Sequence, residues 1–395
     1  MNICIYKHRP RADVTIRILE AYKEALERLG HRVFTLSHDA GEATPEEVRK
    51  LAVRFVDFNA DLALCYGFSA MPKIGGGYFF RKHGIPLVLL CFENPFFGLD
   101  NELIQEIRSH PDYYHFFVWD SWYLDKLREL FKNCHPIRHA ARIKDPAWDP
   151  ALTPPVFERE VAFVGHIPDF VQMRRERLES RNPFNPVIDE LMLMKMRSPG
   201  SDLFGLLNDF LKNPPGSGAT KPRLSWTDPL LHREIIFPLY AEGLGRYRYV
   251  LLNCLHNFPL HYFGDLRWEA SHVTFHPPVD YFEELPDIYR STVVNLDIPP
   301  FQSIDSIDNR FFDAGAAGGL LLTRGSHELT SVFTEADEIT YGSVEELEEK
   351  IRFYLEHHNE RNQTAAALFR CVSADHTYEH RCRYLLETLF KSTGA

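Results

Sequence analysis

IDSIDNRFFDAGAAGGLLL, residues 304–322, opens as a short acidic loop, continues as a helix of small residues and closes on an apolar strand. Two carboxylates, Asp305 and Asp313, have seven residues between them, and Asn309 and Arg310 fall inside that interval. In α/β proteins a loop leading into a helix N-terminus offers backbone N–H groups to phosphate. A carboxylate one or two turns further on accepts hydrogen bonds from ribose hydroxyls. The same residues also suit a surface helix packed through its alanines, with Asp305 as a simple N-cap.

Apolar runs surround this stretch on both sides. Upstream, Val161–Val164, Leu260–Phe263, Val273–Phe275 and Val293–Leu296 read as strands, and Leu320–Thr323 follows the small-residue helix. Earlier still come Asn2–Tyr6, Arg32–Leu36, Leu62–Cys65, Leu87–Phe92 and Phe116–Trp119. Continuous apolar runs of this length suit parallel sheets buried on both faces. Ser343-Val-Glu-Glu346 is a capping-box pattern that opens a helix. A proline-rich run around 144–155 separates the two sets of strands, so the expected organisation is an N-terminal Rossmann-like domain over 1–155 and a second over 156–375. The second carries a helical insertion at about 186–256, and the closing helix, 376–395, is placed to pack back toward the first domain. The expected fold is α/β, two Rossmann-like domains facing across a cleft.

Composition narrows the function classes. At 395 residues the chain exceeds one ordinary core. A formal net charge of −11 argues against a nucleic-acid backbone as partner. Seven cysteines without regular spacing fit a reducing compartment better than a disulfide framework. No CxxC pair suggests structural zinc, and no apolar run reaches the roughly 18 to 20 residues of a membrane span. The expectation is a soluble, cytoplasmic chain.

Ordered motifs then add a resemblance. VAFVGH (161–166) with the following MRRER (173–177), HYFGDLRW (261–268), VTFHPPVDYFEELPDIYRSTVVNLDI (273–298), DNRFFDAGAAGGLLLT (308–323), SVEELEEKIRFYL (343–355) and DHTYEHR (375–381) stand in family order. Together they resemble the donor-binding half of GT-B glycosyltransferases, of the CgeB type with a group-1-like donor domain. The first half is similar more loosely, through EALERLGHRVFTL, HGIPLVLLCFENP and RHAARIKDPAWDP, and it lacks glycines in its first loop, Lys7 to Arg11.

The resemblance implies transfer of a sugar from a nucleotide-diphosphate sugar to an acceptor: a protein, a polysaccharide or a small glycan. It implies ribose binding by Asp313 and a donor contact by Asp305, both Asp where relatives usually have Glu. It places the diphosphate on Gly165, His166, Ser306, Asn309, Arg310 and Arg175, and the base at His276 and Val279. For an inverting reaction His8 and Glu93, at strand ends of the first domain, are the candidates for the catalytic base. No metal and no cofactor beyond the nucleotide-sugar substrate are expected. Alternative readings are a GT-B-fold nucleotide-sugar epimerase, or a non-catalytic nucleotide or sugar binder.

Overall fold

The computed structural model describes residues 1–8, 13–38, 45–67, 78–144, 155–199, 201–212 and 228–390. Met1–Arg142, joined by the closing segment from Asp375, forms one unit, and Ile143–Ala374 forms the other. The division precedes the boundary expected near 155, because Lys144 already belongs to the second unit: its Nζ donates to the Glu283 carbonyl at 2.8 Å and to Asp287 Oδ2 at 2.9 Å. The proline run 145–154 lies outside the described residues.

In the first unit, β1 (Asn2–His8), β2 (Arg32–His38), β3 (Leu62–Tyr66), β4 (Leu87–Cys91), β5 (Tyr114–Val118) and β6 (Cys134–Pro136) form one parallel sheet in the order β2-β1-β3-β4-β5-β6. Every residue of β4 is buried, as a strand covered on both faces requires. The helix Asp13–Arg28 buries Ile18, Tyr22, Ala25 and Leu26. The closing helix Tyr378–Phe390 packs on it, with Tyr22 and Tyr378 edge to face at 5.2 Å. Arg381 fixes this helix by donating to the carbonyls of Arg138 and His139.

The second unit holds β7 (Arg159–Val164), β8 (Leu260–Phe263), β9 (Val273–His276), β10 (Thr292–Leu296), β11 (Leu321–Arg324) and β12 (Thr340–Tyr341), all parallel, in the order β12-β11-β10-β7-β8-β9. The chain starts this sheet at β7, builds toward β9 on one side, then returns to place β10 on the other. Right-handed crossovers in opposite directions put their helices on opposite faces. The loops after β7 and β10 therefore part from each other at adjacent strand ends. That leaves a crevice at the carboxyl end of the sheet, the position where open α/β sheets bind ligands.

Candidate functional site

The helix Asn309–Ala317 begins at this crevice. Asp308 is its N-cap, its Oδ1 accepting from the Arg310 backbone N–H at 3.4 Å. Asp305 does not cap it: the cap must adopt extended backbone immediately before the first helical turn, and Asp308, at φ −67° and ψ 153°, does so. Asp305 stands partly exposed in the loop three residues earlier, beside the buried Ser306. The helix ends at Gly318, whose φ of +71° favours a residue without Cβ.

Arg310 reaches from this helix across to β7. Its Nε donates to the Val164 carbonyl at 2.9 Å, and its Nη1 lies 3.5 Å from Asp297 Oδ1 and 3.4 Å from Asp308 Oδ2. The guanidinium also covers the Phe163 ring at 5.5 Å. A Cβ on Gly165 would come 2.4 Å from Arg310 Nη2, so the bare glycine is what lets the guanidinium lie along the end of β7.

Further cations surround the crevice. Arg248, in the middle of the helix Phe237–Cys254, is buried and donates from Nε and Nη2 to the Ile298 carbonyl and from Nη1 to the His166 carbonyl, at 3.0, 2.7 and 2.7 Å. Burial, reinforced by neighbouring Arg310, lowers its pKa to about 9. Arg324, closing β11, gives Nη2 to the Ser303 carbonyl, while its Nε and Nη1 are buried without an acceptor among the described residues. Against these three guanidiniums stand Asp297, Asp308 and, one turn along the helix, Asp313. Asp297 is fully buried, takes the Thr323 hydroxyl at 2.7 Å, and is held well above the carboxylate range by burial and by Asp308. With Asp297 and Asp313 both held toward the neutral acid by burial, the crevice carries surplus positive charge, and the first turn of the helix adds its dipole.

One turn along, Asp313 forms a second cluster. Its Oδ2 accepts from the Tyr281 hydroxyl at 2.7 Å and from Asn309 Nδ2 at 3.2 Å. Burial pushes its carboxyl from 3.8 up to about 7, although those two hydrogen bonds favour the charged form. Tyr281 follows the loop after β9, where His276 Nε2 meets His261 Nδ1 at 2.9 Å and its ring stacks on Phe263 at 4.2 Å. Burial lowers the pKa of both histidines. Arg267 donates to the His276 carbonyl at 2.7 Å and to the Gly264 carbonyl at 2.6 Å, tying this loop to the one after β8. Val279 packs against Ala162, Phe263 and Ile288.

The structure thus brings Gly165, Asn309, Arg310 and Asp313 together, with His276 and Val279 on the adjoining loop. It does not bring Arg175 to them: that side chain is exposed, and no hydrogen bond or ion pair joins it to Arg310 or Asp313. Its neighbour Arg177 is structural, held by Glu242 at 2.7 Å and Asp189 at 2.6 Å. His166 contributes its carbonyl to Arg248, while its exposed ring faces Asp265 at 3.5 Å. Asp297, Asp308, Arg248 and Arg324 join this crevice without being among the donor contacts that the sequence points to. Asp297 could have been found there, as the first charge after the apolar run of β10.

In the first unit, Glu93 stands just past β4 beside the buried Asn94, in a cavity of about 200 Å³ that also involves Tyr66, Phe92 and Phe97. The residue presents an exposed surface, yet the crowding of its carboxyl by protein raises its pKa. His8 ends β1, and its side chain lies outside the described residues. No group of three or more His, Cys, Asp or Glu among the described residues could hold a metal ion, and no helix among them is long and apolar enough to cross a membrane.

Residues 248–387, which include Arg248, Arg310 and Asp313, match the model of a family described as glycosyl transferase-like. No curated protein matches the sequence. Three solved structures share the fold over nearly all of both chains. Sucrose-phosphate synthase from Thermosynechococcus elongatus is 13% identical with a TM-score of 0.50, covering 99% of this chain and 98% of its own. HepE from Anabaena, in complex with UDP and glucose, is 11% identical with a TM-score of 0.50, covering 99% and 100%. BGT from T4 phage, in complex with its UDP-glucose substrate, is 8% identical with a TM-score of 0.52, covering 98% and 99%. At these identities the likeness shows the fold, two parallel-sheet Rossmann-like domains of the GT-B type.

Proposed function

We propose that this GT-B chain, an enzyme of the glycosyltransferase class, moves a sugar from a nucleoside-diphosphate sugar to an acceptor. One observation carries the reading: at the sheet's switch point three guanidiniums face Asp297, Asp308 and Asp313, and burial holds two of these carboxyls, Asp297 and Asp313, toward neutrality. A diphosphate supplies the missing negative charge.

The nucleotide then lies across the ends of β7, β9 and β10. Its diphosphate rests against Gly165, the start of the helix Asn309–Ala317 and the Arg310 guanidinium. Asp313 accepts from the ribose hydroxyls, with Tyr281 and Asn309 fixing its orientation, and the base lies near His276 and Val279. Asp305 and Ser306 line the same loop. Charge that develops on the departing diphosphate is stabilised by donors already in place, which cost no reorganisation during reaction. These donors stand where other enzymes use a metal, so the reaction is proposed to be metal-independent. Glu93, its pKa raised, is the candidate base for an acceptor hydroxyl. The finer likeness to CgeB-type enzymes belongs with this reading.

UDP and UDP-glucose are the first ligands to test, since two of the fold relatives were crystallised with UDP or UDP-glucose. At about a hundred times its Kd, a bound nucleotide adds about 2.7 kcal/mol of stability, visible as a thermal shift. Arg310→Met is expected to abolish that shift. If no nucleoside diphosphate or nucleotide sugar stabilises the protein, the donor-site assignment fails.

A further inference from the structure

The second unit has another concavity, on the side of the helix Phe170–Glu179 and the loop after β8. Its volume is about 950 Å³, at the upper end of the roughly 300–1,000 Å³ of small-molecule sites. Phe170, Tyr249 and Trp268 supply aromatic surface, and Gln172, Arg175 and Glu179 supply polar groups. The reaction proposed above uses none of these side chains.

The aromatic wall is rigid. Trp268 is fixed by Nε1 to Asn253 Oδ1 at 3.3 Å, and its ring stands edge-on to Phe275 at 4.8 Å and to Tyr249 at 5.6 Å. Phe170 packs on Tyr249 at 5.3 Å. Beside this wall, Arg175 and Glu179 are exposed, and their side chains make no hydrogen bond or ion pair with any described residue. Fixed rings next to free forked donors and acceptors suit a ligand with flat C–H faces and many hydroxyls. The C–H face of a sugar ring packs on the negative face of an aromatic ring, and the hydroxyls both donate and accept.

Charge selects among ligands of that kind. Asp169, Glu176 and Glu179 outnumber Arg175 and Arg267 along the groove, and Arg267 is already engaged with two carbonyls. Single-stranded nucleic acid also stacks on aromatic side chains, but it needs a cationic track for its phosphates. A surplus of carboxylate repels such a backbone and leaves a neutral polyol unaffected.

We infer that this groove binds a neutral oligosaccharide, part of the acceptor of the reaction. The inference rests on the glycosyltransferase reading for the acceptor role, and on the groove's own chemistry for sugar binding. It makes the acceptor a glycan that extends over the surface of the donor-binding unit.

The test uses the full chain. Gluco-, chito- and malto-oligosaccharides of two to six residues (on the order of a drug-sized ligand or larger) are titrated by saturation-transfer NMR and calorimetry, with UDP titrated in parallel. At least one series is expected to bind, and Arg175→Ala and Trp268→Ala each to weaken it about tenfold, about 1.4 kcal/mol, leaving UDP affinity unchanged. Arg175→Ala keeps the test valid if Trp268→Ala fails to fold, because the Arg175 side chain is exposed and makes no hydrogen bond or ion pair with a described residue. If UDP binds but no neutral series does, or if the oligosaccharide affinity survives both substitutions, the groove assignment is overturned. It is overturned equally if a single-stranded oligonucleotide binds there in a Trp268-dependent way. Oligosaccharide binding without any nucleotide binding would leave the groove standing and sink the donor site instead.

Discussion

Replacing Asp313 by Asn separates a ligand-binding carboxylate from a structural one, because the two roles predict opposite signs. In the folded protein burial raises the Asp313 pKa from 3.8 to about 7. The folded state therefore holds a proton that the unfolded state releases. The stability from this group is complete below about pH 4 and is lost as pH rises through 7. The difference in pKa corresponds to about 4 kcal/mol at pH 8. Because the residue is partly open to solvent, about half of that, ~2 kcal/mol, is the realistic share. Asn does not titrate, and its carbonyl can still accept from Tyr281 and Asn309. Asp313→Asn should thus stabilise the free protein by ~2 kcal/mol at pH 8, about 4–8 °C in Tm for a unit of this size, and by almost nothing at pH 4. Its affinity for UDP should fall instead. Losing a charge-assisted bond to a ribose hydroxyl costs about 1.5–3 kcal/mol, roughly 10- to 100-fold in Kd. Thermal denaturation at both pH values, with calorimetry of UDP at pH 8, gives both quantities. A variant that loses stability at pH 8, or that binds UDP as tightly as the wild type, refutes the reasoning.

Arg310→Met leaves Asp297 and Asp308 without their shared cation, so it should cost about 3–5 kcal/mol of stability besides abolishing UDP binding; urea denaturation and calorimetry check the two effects. Gly165→Ala drives a methyl to 2.4 Å from Arg310 Nη2 and should weaken UDP binding about tenfold or more with a smaller loss of Tm, since the guanidinium end can move. Glu93→Gln should lower kcat with a chosen acceptor while the Kd for UDP stays unchanged, and equal losses in both would remove Glu93 from a base role. The His261–His276 pair has lowered pKa values in the folded state, so the stability it contributes is present above about pH 6.5 and is lost as pH falls. His276→Gln should flatten the acid side of a stability–pH curve.

The two sheets were legible because a strand buried on both faces reads as an apolar run: β4 is such a run throughout, and β10 is one broken only by Asn295, and both are fully buried in structure. The Ser343 capping box was legible for the same local reason: Glu346 N–H donates to Ser343 Oγ at 3.2 Å, and Glu346 Oε2 accepts from the Gly342 N–H at 2.7 Å. Asn309 and Asp313 share a helix face by their spacing and do meet. What could not be read is whatever depends on chain reversal. Arg248 lies 82 residues from His166 and 50 from Ile298, and nothing near it in sequence hints at either carbonyl. Spacing to Asp313 points to Asp305, but spacing alone does not say where extended backbone turns helical, which here is at Asp308. The forked donors that a guanidinium offers to phosphate point Arg175 at the diphosphate, whereas here its side chain lies along the aromatic groove.

The partners of the buried arginines separate site from scaffold. Arg177 is matched by Glu242 and Asp189, so its field is quenched where it stands, and it serves to join three helices. Arg248 is held by carbonyls alone, which satisfy its N–H groups without cancelling its charge, and its lowered pKa registers the cost of keeping that charge buried. Such an arrangement is worth its cost where an anion arrives. Arg361 tests whether carbonyl binding suffices as a criterion. It too is buried, bonded to the Thr292 and Val293 carbonyls and set over the Phe157 ring at 4.4 Å, with no carboxylate partner among the described residues. Its partners, however, begin β10, whereas those of Arg310 and Arg248 follow the ends of β7 and β10. At the starting ends of parallel strands the loops do not part into a crevice, so the same chemistry there pins the sheet to its neighbours. Strand direction, and not charge alone, therefore sets Arg248 and Arg310 at the carboxyl-end crevice, where the nucleotide is proposed to lie, and Arg361 in the scaffold of the sheet.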